Sequence, residues 1–502
     1  MSSRSRFNRR HFVNLTAAAS ASSLLTNKPA RAASKDNAVI QENSKPGTTQ
    51  WQLQFHHFDD PVTLASYPLN RRVRHSAIEG YASKTSGLAG ETIDLMVSMK
   101  PAGSFLVDIY RLGYYGGSGA RHMTRLGPFK SEPGKVPMMT VERIRECKWE
   151  KSTSLTIPKD WPSGMYLGKL TRDEPFGAQS YVVFAVKDRR PSDVLCQASD
   201  LTWQAYNKWP GKDSLYDDGS PEVWYTGPNV RVSFDRPYAK YCQCVDAPQT
   251  CGTGGYLLWE FPMAYWLEQE GYDVTYCSNL DLHLDPAVLK TSKVFLSVGH
   301  DEYWSHQMYD ELMQARNGGL SLAFFSGNTM WHEIEFYDSS VNGAPCRAFA
   351  RKGYSPDAQP LMGLKPGPPG YGDWVVTKPQ HWIYEGTSLK AGDRIPAIIG
   401  WEFNSTPGDI PGLEVVATAP IWPRSNEYSK DQRHHGVVFP CAKGNWVFNA
   451  GTIWWPQGLA SPPGHVPARV GDVGGTFGVN PHVQRITANI LNRMIKDSPR
   501  RA

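Results

Sequence analysis

Apolar and polar residues alternate along the first part of the chain in short runs that predict β-strands. The runs Thr92–Ser98, Phe105–Tyr110 and Ser180–Val186 follow this alternation, which is the period of a strand with one buried face. Glycine and proline separate the runs, as at Gly113–Gly117. Short strands at this spacing indicate an antiparallel β-sandwich, and we predict that it occupies residues 51–188.

The pattern changes after residue 190, where apolar runs of strand length alternate with apolar residues at helical spacing. Such alternation is typical of a parallel sheet with right-handed helical crossovers. Residues 353–418 are rich in glycine and proline and predict an insertion or a set of β-hairpins. We therefore predict an α/β domain over residues 190–497. Its predicted strands are Asp193–Ala198, Asp273–Cys277, Lys293–Val298, Leu320–Phe325 and Trp446–Ala450, and its predicted helices are Tyr256–Gly271, Pro286–Leu289, Ser305–Arg316 and Val483–Ile495.

The N-terminus combines a twin-arginine motif, a weakly apolar stretch and a small-residue cleavage site. The motif is Asn8–Val13, the apolar stretch is Val13–Leu25, and Ala30–Ala32 offers the cleavage site. These features predict a twin-arginine signal peptide at residues 1–32 and export to the periplasm or beyond. A disordered basic tail is the alternative. Residues 33–50 are polar and predict a linker.

Length and composition indicate a globular protein of two domains. The chain has 502 residues, 40% of them hydrophobic and 20% charged, and this length exceeds what one core usually holds. Six of its 53 basic residues and none of its acidic residues lie in the predicted signal peptide, so the formal net charge of +5 belongs to that segment. Nucleic-acid binding therefore loses its electrostatic support. Elsewhere no apolar run approaches the roughly 20 residues of a membrane span, so we expect none.

Eight cysteines would meet an oxidising compartment after export, where disulfides persist. Cys242, Cys244 and Cys251 cluster with the spacing of half a zinc site, but no fourth ligand stands at matching spacing. Disulfides, buried free thiols and a metal site all stay open for this cluster, in that order of preference.

The segment Val298–Trp304 places several reactive groups where an apolar strand ends. Gly299 allows a tight turn, and the carboxyl end of such a strand is where open α/β sheets bind ligands. His300 and Glu302 each offer a ligand or a base. Tyr303 offers a phenolate to a metal, because a bound cation lowers the pKa of a coordinating group. In the structural alternative, Asp301 or Glu302 complements the dipole of the following helix, and Tyr303 packs in the core.

A second strand end carries Ser326 and Asn328 and lacks the common nucleophiles. A cysteine at such an elbow would indicate thiol amidotransfer, and a Gly-x-Ser-x-Gly elbow would indicate a serine hydrolase, but neither is present there. The loop Thr202–Asn207 follows the first strand of the α/β half. Tyr206 on this loop either reaches the same sheet edge or is buried with Trp203.

Two carboxylates lie among aromatic residues further along the chain. Glu402 follows the apolar pair Ile398–Ile399, and such a carboxylate is costly to bury unless it is paired or bound to a metal. Glu385 is followed by Gly386, which favours a turn. Buried carboxylates more commonly form structural salt bridges, so a structural role and a metal-binding role both stay open for these two residues.

These motifs resemble the C-terminal domain of the large (beta) subunit of N,N-dimethylformamidase. The resemblance rests on Gly299–Trp304, which is similar to the family pattern Gly-His-Pro-Glu-Tyr-Trp/Tyr, with support from Phe325–Asn328, Thr202–Asn207 and Gly400–Glu402. It covers most of residues 190–495, and the β region before it resembles the sandwich that often accompanies this domain. The resemblance implies a class I glutamine amidotransferase-like (flavodoxin-like) parallel α/β fold.

The resemblance also implies a mononuclear ferric iron held by two tyrosines and one glutamate, as in the amidase. Tyr303 matches the motif tyrosine. The second tyrosine falls at Tyr265 or Tyr206, and the glutamate falls at Glu402 ahead of Glu385. The expected metal ligands are therefore Tyr303, Glu402, Tyr265 and Tyr206.

The sequence therefore predicts an exported, metal-dependent hydrolase that acts on the amide of a small molecule. Catalysis is assigned to His300, Glu302 and Asn328, beside an iron held by tyrosine and glutamate. Asp301 stands where the family has proline, so other functions stay open. The alternatives are a binding or structural protein on an amidotransferase-like scaffold, and a carbohydrate-active enzyme with paired carboxylates. A homo-oligomer is left open as well.

Overall fold

The structure is a computed structural model that describes most of the chain after the predicted signal peptide. The signal peptide and the cysteines Cys242, Cys244 and Cys251 lie outside the described residues, so export and the state of that cluster stay predictions. The described residues are 37–55, 76–211, 213–217, 230–238, 255–355, 357–400, 402–423, 432–465 and 478–500.

Among the residues that the structure describes, eight strands in two sheets form the first β region. The three-stranded sheet has the order β1-β3-β6 and the five-stranded sheet the order β2-β8-β7-β4-β5, with only β2 and β8 parallel among the described pairs. Leu95, Val107 and Leu170 belong to one buried cluster that both sheets share, which is compatible with the predicted sandwich. The strands are β1 Glu79–Ala82, β2 Ser86–Leu88, β3 Thr92–Ser98, β4 Gly103–Leu112, β5 Ala120–Ser131, β6 Thr153–Thr156, β7 Gly164–Arg172 and β8 Gln179–Lys187.

The rest of the chain contributes fifteen further strands among the described residues, and seven of them form a central sheet. Its order is β11-β9-β12-β14-β23-β22-β20. The strands are β9 Ser192–Ala198, β10 Arg231–Ser233, β11 Val274–Ser278, β12 Ser292–His300, β13 Tyr303–Trp304, β14 Ser321–Gly327, β15 His332–Tyr337, β16 Ala348–Tyr354, β17 Leu364–Val375, β18 Arg394–Ile399, β19 Glu402–Pro407, β20 Glu414–Pro420, β21 Trp422–Pro423, β22 Arg433–Pro440 and β23 Trp446–Asn449.

The central sheet is parallel from β11 to β23, as the alternating pattern predicts, and antiparallel from β23 to β20. Its two faces lie in different buried clusters: Leu296 and Phe325 point to one, Phe295 and Phe324 to the other. Burial on both faces explains why these strands are apolar at nearly every position. The fold is thus a mixture of β and α/β layers, and the finer flavodoxin-like arrangement stays a prediction.

Two smaller sheets lie beside the central one. The first has the order β10-β16-β15-β13, and Tyr303 of β13 is opposite His332 of β15. The second joins β17 antiparallel to β18, β19 and β21. It occupies the glycine- and proline-rich region, where the prediction was an insertion or a set of hairpins.

Seven α-helices are described, and the two longest match predicted helices closely. Ser305 caps α5, since its hydroxyl accepts a hydrogen bond from the Met308 N–H at 3.2 Å, and α7 buries Val483, Ile486 and Ile490 along one face. Among the described residues no helix has the length and apolar character needed to cross a membrane. The helices are α1 Ala38–Asn43, α2 Asp200–Ala205, α3 Phe261–Gln269, α4 Asp281–Leu284, α5 His306–Asn317, α6 Gln359–Met362 and α7 Pro481–Asp497, and a π-helical turn, Tyr256–Glu260, leads into α3.

The β region and the α/β region are connected by buried contacts. Arg111 of β4 and Glu268 of α3 form an ion pair at 2.8 Å, with both side chains almost fully buried. The described residues fall into one compact unit, and the bounds 51–188 and 190–497 stay predictions. The segment 33–50 contains α1, in which Val39 and Glu42 are buried.

Candidate active site

The chain turns sharply at the end of β12, and this turn gathers the polar residues of the motif. Gly299 has φ +70°, and a Cβ there would lie 2.6 Å from the Trp259 Cβ, so glycine is required. His300 ends β12 opposite Gly327 of β14. The backbone N–H of Glu302 donates to the Thr202 hydroxyl at 3.0 Å. The turn is therefore fixed to α2, whose C-cap residue is Tyr206, so the predicted loop Thr202–Asn207 is mostly helical.

Three tyrosine hydroxyls and one carboxylate form a buried cluster at this turn. The Tyr206 hydroxyl donates to Glu302 Oε2 at 2.6 Å, and the Tyr216 hydroxyl donates to Glu302 Oε1 at 3.4 Å. The two hydroxyls are 2.9 Å apart. Tyr216 is also hydrogen-bonded to the hydroxyl of Tyr303. We call Tyr206, Tyr216, Tyr303 and Glu302 the phenol–carboxylate cluster.

A histidine and a second carboxylate border the phenol–carboxylate cluster. His300 Nε2 lies 2.8 Å from Glu402 Oε2 and 3.3 Å from Glu302 Oε2. One ligand atom from each of these three side chains lies within 4.8 Å of the others, so they form a group that could hold a metal ion. His332 approaches Glu302 from β15, with Nε2 3.4 Å from Oε1.

Burial dominates the electrostatics of this site. It raises the pKa of Glu302 to about 7 and moves the pKa of each clustered phenol well above its ordinary value. Burial lowers the pKa of His300, but the adjacent Glu402 carboxylate offsets this, and the pKa ends above its usual range. Arg351 contributes positive charge: its guanidinium lies 4.9 Å from the centre of the Tyr216 ring.

The donor set fits a small, highly charged cation. Three buried phenols and a buried carboxylate are costly to ionise in the absence of a metal, and a bound cation reverses that cost. The Tyr206 and Tyr216 hydroxyls lie 2.9 Å apart, and they lie 2.6 Å from Glu302 Oε2 and 3.4 Å from Glu302 Oε1, respectively. Metal–oxygen bonds of about 2 Å bring neighbouring ligand oxygens to roughly 3 Å from one another.

Asp301, the departure from the family pattern, is held in place by four donors. Its carboxylate accepts hydrogen bonds from Gln197 at 2.8 Å, Ser297 at 2.7 Å, Trp304 at 3.0 Å and Asn279 at 3.3 Å. A carboxylate with this many donors serves to fix the turn between β12 and β13. Asp301 therefore has a structural task beside the cluster.

The second strand end contributes a hydroxyl chain and an amide. The Ser326 hydroxyl lies 2.9 Å from that of Ser297 and 2.8 Å from that of Thr329, so it takes part in packing polar groups. Asn328 has φ +50° and is 4% exposed. Its Oδ1 finds no hydrogen-bond donor among the described residues. Since Asn328 follows Gly327, the register partner of His300, its amide belongs to this strand end.

The structure brings together five of the residues that the sequence singled out. Tyr265 and Glu385 lie elsewhere: Tyr265 packs on Tyr114 with ring centroids 5.2 Å apart, and Glu385 is exposed after the short helix Trp382–Tyr384. Sequence reasoning missed Tyr216, His332 and Arg351, which stand outside any strand-end motif. The five residues at the site are His300, Glu302, Tyr303, Tyr206 and Glu402.

Fold and site together define a mixed α/β protein with a buried centre of phenols and carboxylates at a strand end. The family model described as "N,N-dimethylformamidase beta subunit-like, C-terminal" matches residues 106–468. The chain belongs to this family, which confirms the resemblance. The match begins inside β4, so it includes part of the β region as well as the whole site.

Other comparisons add little. A search of curated proteins gives no match. One solved structure, a Paenibacillus sp. cycloisomaltooligosaccharide glucanotransferase complexed with cycloisomaltoheptaose, shares 10% identity over 59% of this chain and 61% of that chain, with a TM-score of 0.17. This chain therefore spans less than two thirds of that protein, and a likeness so weak carries no argument.

Proposed function

We propose that the protein is an amide hydrolase with a mononuclear iron held by Tyr206, Tyr216 and Glu302. The observation that carries the proposal is that the Tyr206 and Tyr216 hydroxyls lie 2.9 Å apart and each contacts one oxygen of the Glu302 carboxylate, at 2.6 and 3.4 Å. Membership of the dimethylformamidase-like family supports the reaction, and iron is the metal that the resemblance to the amidase implies. Phenolate is a known iron ligand in proteins.

This ligand set differs in part from the set that the sequence predicts. Tyr206 is common to both. The proposal takes Glu302 in place of Glu402, because both phenols donate to Glu302. It takes Tyr216 in place of Tyr265, and it leaves Tyr303 as the hydrogen-bond partner of Tyr216.

A ferric ion at this position would polarise the substrate carbonyl and lower the pKa of a water molecule. The protein's own part is proton transfer. His300 Nε2 and Glu402 Oε2 lie 2.8 Å apart, close enough to pass a proton between them. This pair takes the proton of the attacking water as the carbon–oxygen bond forms. It gives a proton to the leaving nitrogen as the carbon–nitrogen bond breaks, so that acid and amine are the products.

Asn328 has the position and the chemistry to bind the substrate amide. Its side chain is almost fully buried, and its Oδ1 has no donor among the described residues. An amide N–H of a small substrate would satisfy that acceptor. We expect a small substrate, because the centre is buried. We also expect the protein to be exported by the twin-arginine route.

The carbohydrate-active alternative finds no support at this site. Retaining glycosidases need two carboxyl groups about 5 Å apart with the sugar between them. Here the His300 ring nitrogen stands between Glu302 and Glu402, at 3.3 and 2.8 Å. The two carboxylates are therefore bridged by protein.

Amine release from simple amides tests the proposal. Purified protein loaded with ferric iron is incubated with formamides and acetamides that carry zero, one or two N-methyl groups, and the amine is quantified. We expect turnover of at least one amide and its loss in the metal-free protein. A folded, iron-loaded protein that releases amine from none of them would contradict amidase activity.

A further inference from the structure

An irregular arm connects the β region to the strands that carry the site. The arm comprises residues 132–152, between the end of β5 and the start of β6. The N–H of Arg231, at the start of β10, donates to the arm carbonyl of Glu142 at 2.9 Å. β10 lies at one edge of the four-stranded sheet whose other edge carries Tyr303. The arm is thus attached to the sheet that borders the phenol–carboxylate cluster.

Two arginines of the arm contact the first and last residues of the stretch 213–217, which contains Tyr216. Arg143 donates through Nε to the carbonyl of Asp217 at 2.9 Å and through a terminal nitrogen to its carboxylate at 3.0 Å. Arg145 donates through Nε to the carboxylate of Asp213 at 3.0 Å. The aspartates are buried, while the arginine side chains are 25% and 22% exposed. The three residues between these aspartates include Tyr216.

The backbone of Arg143 is unusual. Its φ is +58°, in the left-handed region that residues other than glycine rarely occupy. Such conformations persist where surrounding contacts determine them, and they concentrate at functional sites. Here the guanidinium contacts to Asp217 are the contacts that accompany the strained backbone.

We propose that Arg143 and Arg145 are positioning residues for Tyr216. Through the two aspartates, the arm keeps the Tyr216 hydroxyl within reach of Tyr206 and Glu302. The inference rests on the proposed metal centre and extends it, because it makes a segment of the β region part of the support of that centre.

The arm shares this task with contacts from the α/β region. The Tyr216 ring stacks on Tyr206, with centroids 4.9 Å apart, and Arg351 donates to the carbonyl of Leu215 at 3.2 Å. Loss of one arm arginine therefore loosens Tyr216 without releasing it. Supporting residues of this kind typically change metal affinity by about 10- to 100-fold.

The test uses the full-length protein with Arg143→Ala, Arg143→Gly and Arg145→Ala. Arg125→Ala is the matched control, since Arg125 makes a comparable two-point contact to Asp108 within the β4–β5 hairpin, at 2.8 and 3.0 Å. Hydrogen exchange of the peptide containing residues 213–217 is measured in metal-free protein. Ferric affinity is measured by titration of the visible tyrosinate band, and folding by thermal unfolding.

We expect both alanine variants to exchange faster over 213–217 and to bind ferric iron roughly 10- to 100-fold more weakly, with Arg125→Ala unchanged in both measurements. Arg143→Gly separates positioning from stability. Glycine accepts the positive φ without strain, so Arg143→Gly should unfold at a higher midpoint than Arg143→Ala while its ferric affinity falls equally. A merely structural role would leave that affinity intact.

Wild-type exchange over 213–217 in both alanine variants would overturn the proposal, as would wild-type affinity. If the wild-type protein binds no ferric iron, the proposed metal centre fails on its own. In that case exchange in the metal-free protein alone decides whether the arm positions Tyr216: faster exchange supports it and unchanged exchange overturns it.

Discussion

At the scale of single residues, Glu302 is the side chain around which the centre is built. Tyr206 and Tyr216 donate to its two oxygens, and His300 lies 3.3 Å from one of them. Tyr206 is the C-cap of α2, Tyr216 lies in the stretch 213–217, and His300 ends β12. Glu302 therefore links separate segments of the chain into one buried group of phenols and a carboxylate.

The first prediction concerns the phenols. Tyr206→Phe and Tyr216→Phe each remove one proposed ligand oxygen while keeping the ring, so ferric affinity should fall by more than about 100-fold, beyond the effect of a supporting residue. The measurement is a ferric titration followed by visible absorption. Tyr265→Phe is the matched control, because Tyr265 packs on Tyr114; an equal loss in that variant would contradict the proposed ligand set.

The second prediction concerns proton transfer. His300→Ala and Glu402→Gln should lower kcat for amide hydrolysis by about 10²- to 10⁴-fold, the usual contribution of a general acid–base group. Iron content should stay near that of the wild type in both variants, since neither residue is a proposed ligand. Full activity in Glu402→Gln would remove the carboxylate from the mechanism.

Much of the site could be predicted from the motif, because strand-end position and side-chain chemistry both select His300, Glu302 and Tyr303. Tyr216 could not be predicted, because it lies in a short irregular stretch that has no helical or strand pattern of apolar residues. Tyr265 lies on α3 against the β region, and helical spacing alone does not tell which face of a helix meets the site.

At the scale of elements, α1 shows how a polar segment becomes ordered. Glu42 is buried and accepts hydrogen bonds from the Tyr115 hydroxyl at 2.8 Å, Arg121 at 2.6 Å and Lys45 at 2.7 Å. Apolar periodicity is absent from residues 33–50, so the sequence predicts a linker there. The partners that order α1 lie mostly far along the chain.

This cluster gives the third prediction. Burial alone would raise the pKa of Glu42, but its cationic neighbours, Lys45 first, hold that pKa below its usual value. A carboxyl group with a lowered folded pKa stabilises the protein above its unfolded pKa of about 4.3, and this contribution is lost as the pH falls through the folded value.

Glu42→Gln should therefore lower the free energy of unfolding by about 2 kcal/mol at neutral pH, and the difference from the wild type should shrink as the pH falls below about 4. Urea unfolding at pH 7 and pH 3.5 measures both values. Glu270→Gln, at an exposed position, is the control. A difference that grows on acidification would show that the assigned charge interactions are wrong.

The parallel strands were predictable because burial on both faces gives each of them a continuous apolar run. The antiparallel extension by β22 and β20 was not, since strand direction leaves no trace in the period of a single strand. The four-stranded sheet was also missed. Its strand β13 has only two residues, Tyr303 and Trp304, too few for any alternation.

At the scale of the whole molecule, a buried ion pair joins the β region to the α/β region. Arg111 donates to both oxygens of Glu268, at 2.8 and 3.0 Å, and Glu268 also accepts from Tyr276 at 2.9 Å. Both partners of the pair are almost fully buried. Removing one partner of such a pair leaves an uncompensated charge.

The fourth prediction follows from this pair. Arg111→Met should lower the free energy of unfolding by about 3–5 kcal/mol, and the double variant Arg111→Met/Glu268→Gln should recover part of that loss because no charge stays buried. Urea unfolding measures both. If the double variant lost more unfolding free energy than the two single variants lose together, a buried unpaired charge would not be the cause of the destabilisation.

Visible absorption of the purified, iron-reconstituted protein tests most directly whether its buried phenols hold iron. We expect one equivalent of bound ferric iron together with a tyrosinate-to-iron band, and we expect that band to be lost in a Tyr206→Phe/Tyr216→Phe double variant that folds normally. If the folded wild-type protein binds less than one equivalent of iron, or if the band is unchanged in the double variant, the proposed iron centre is wrong.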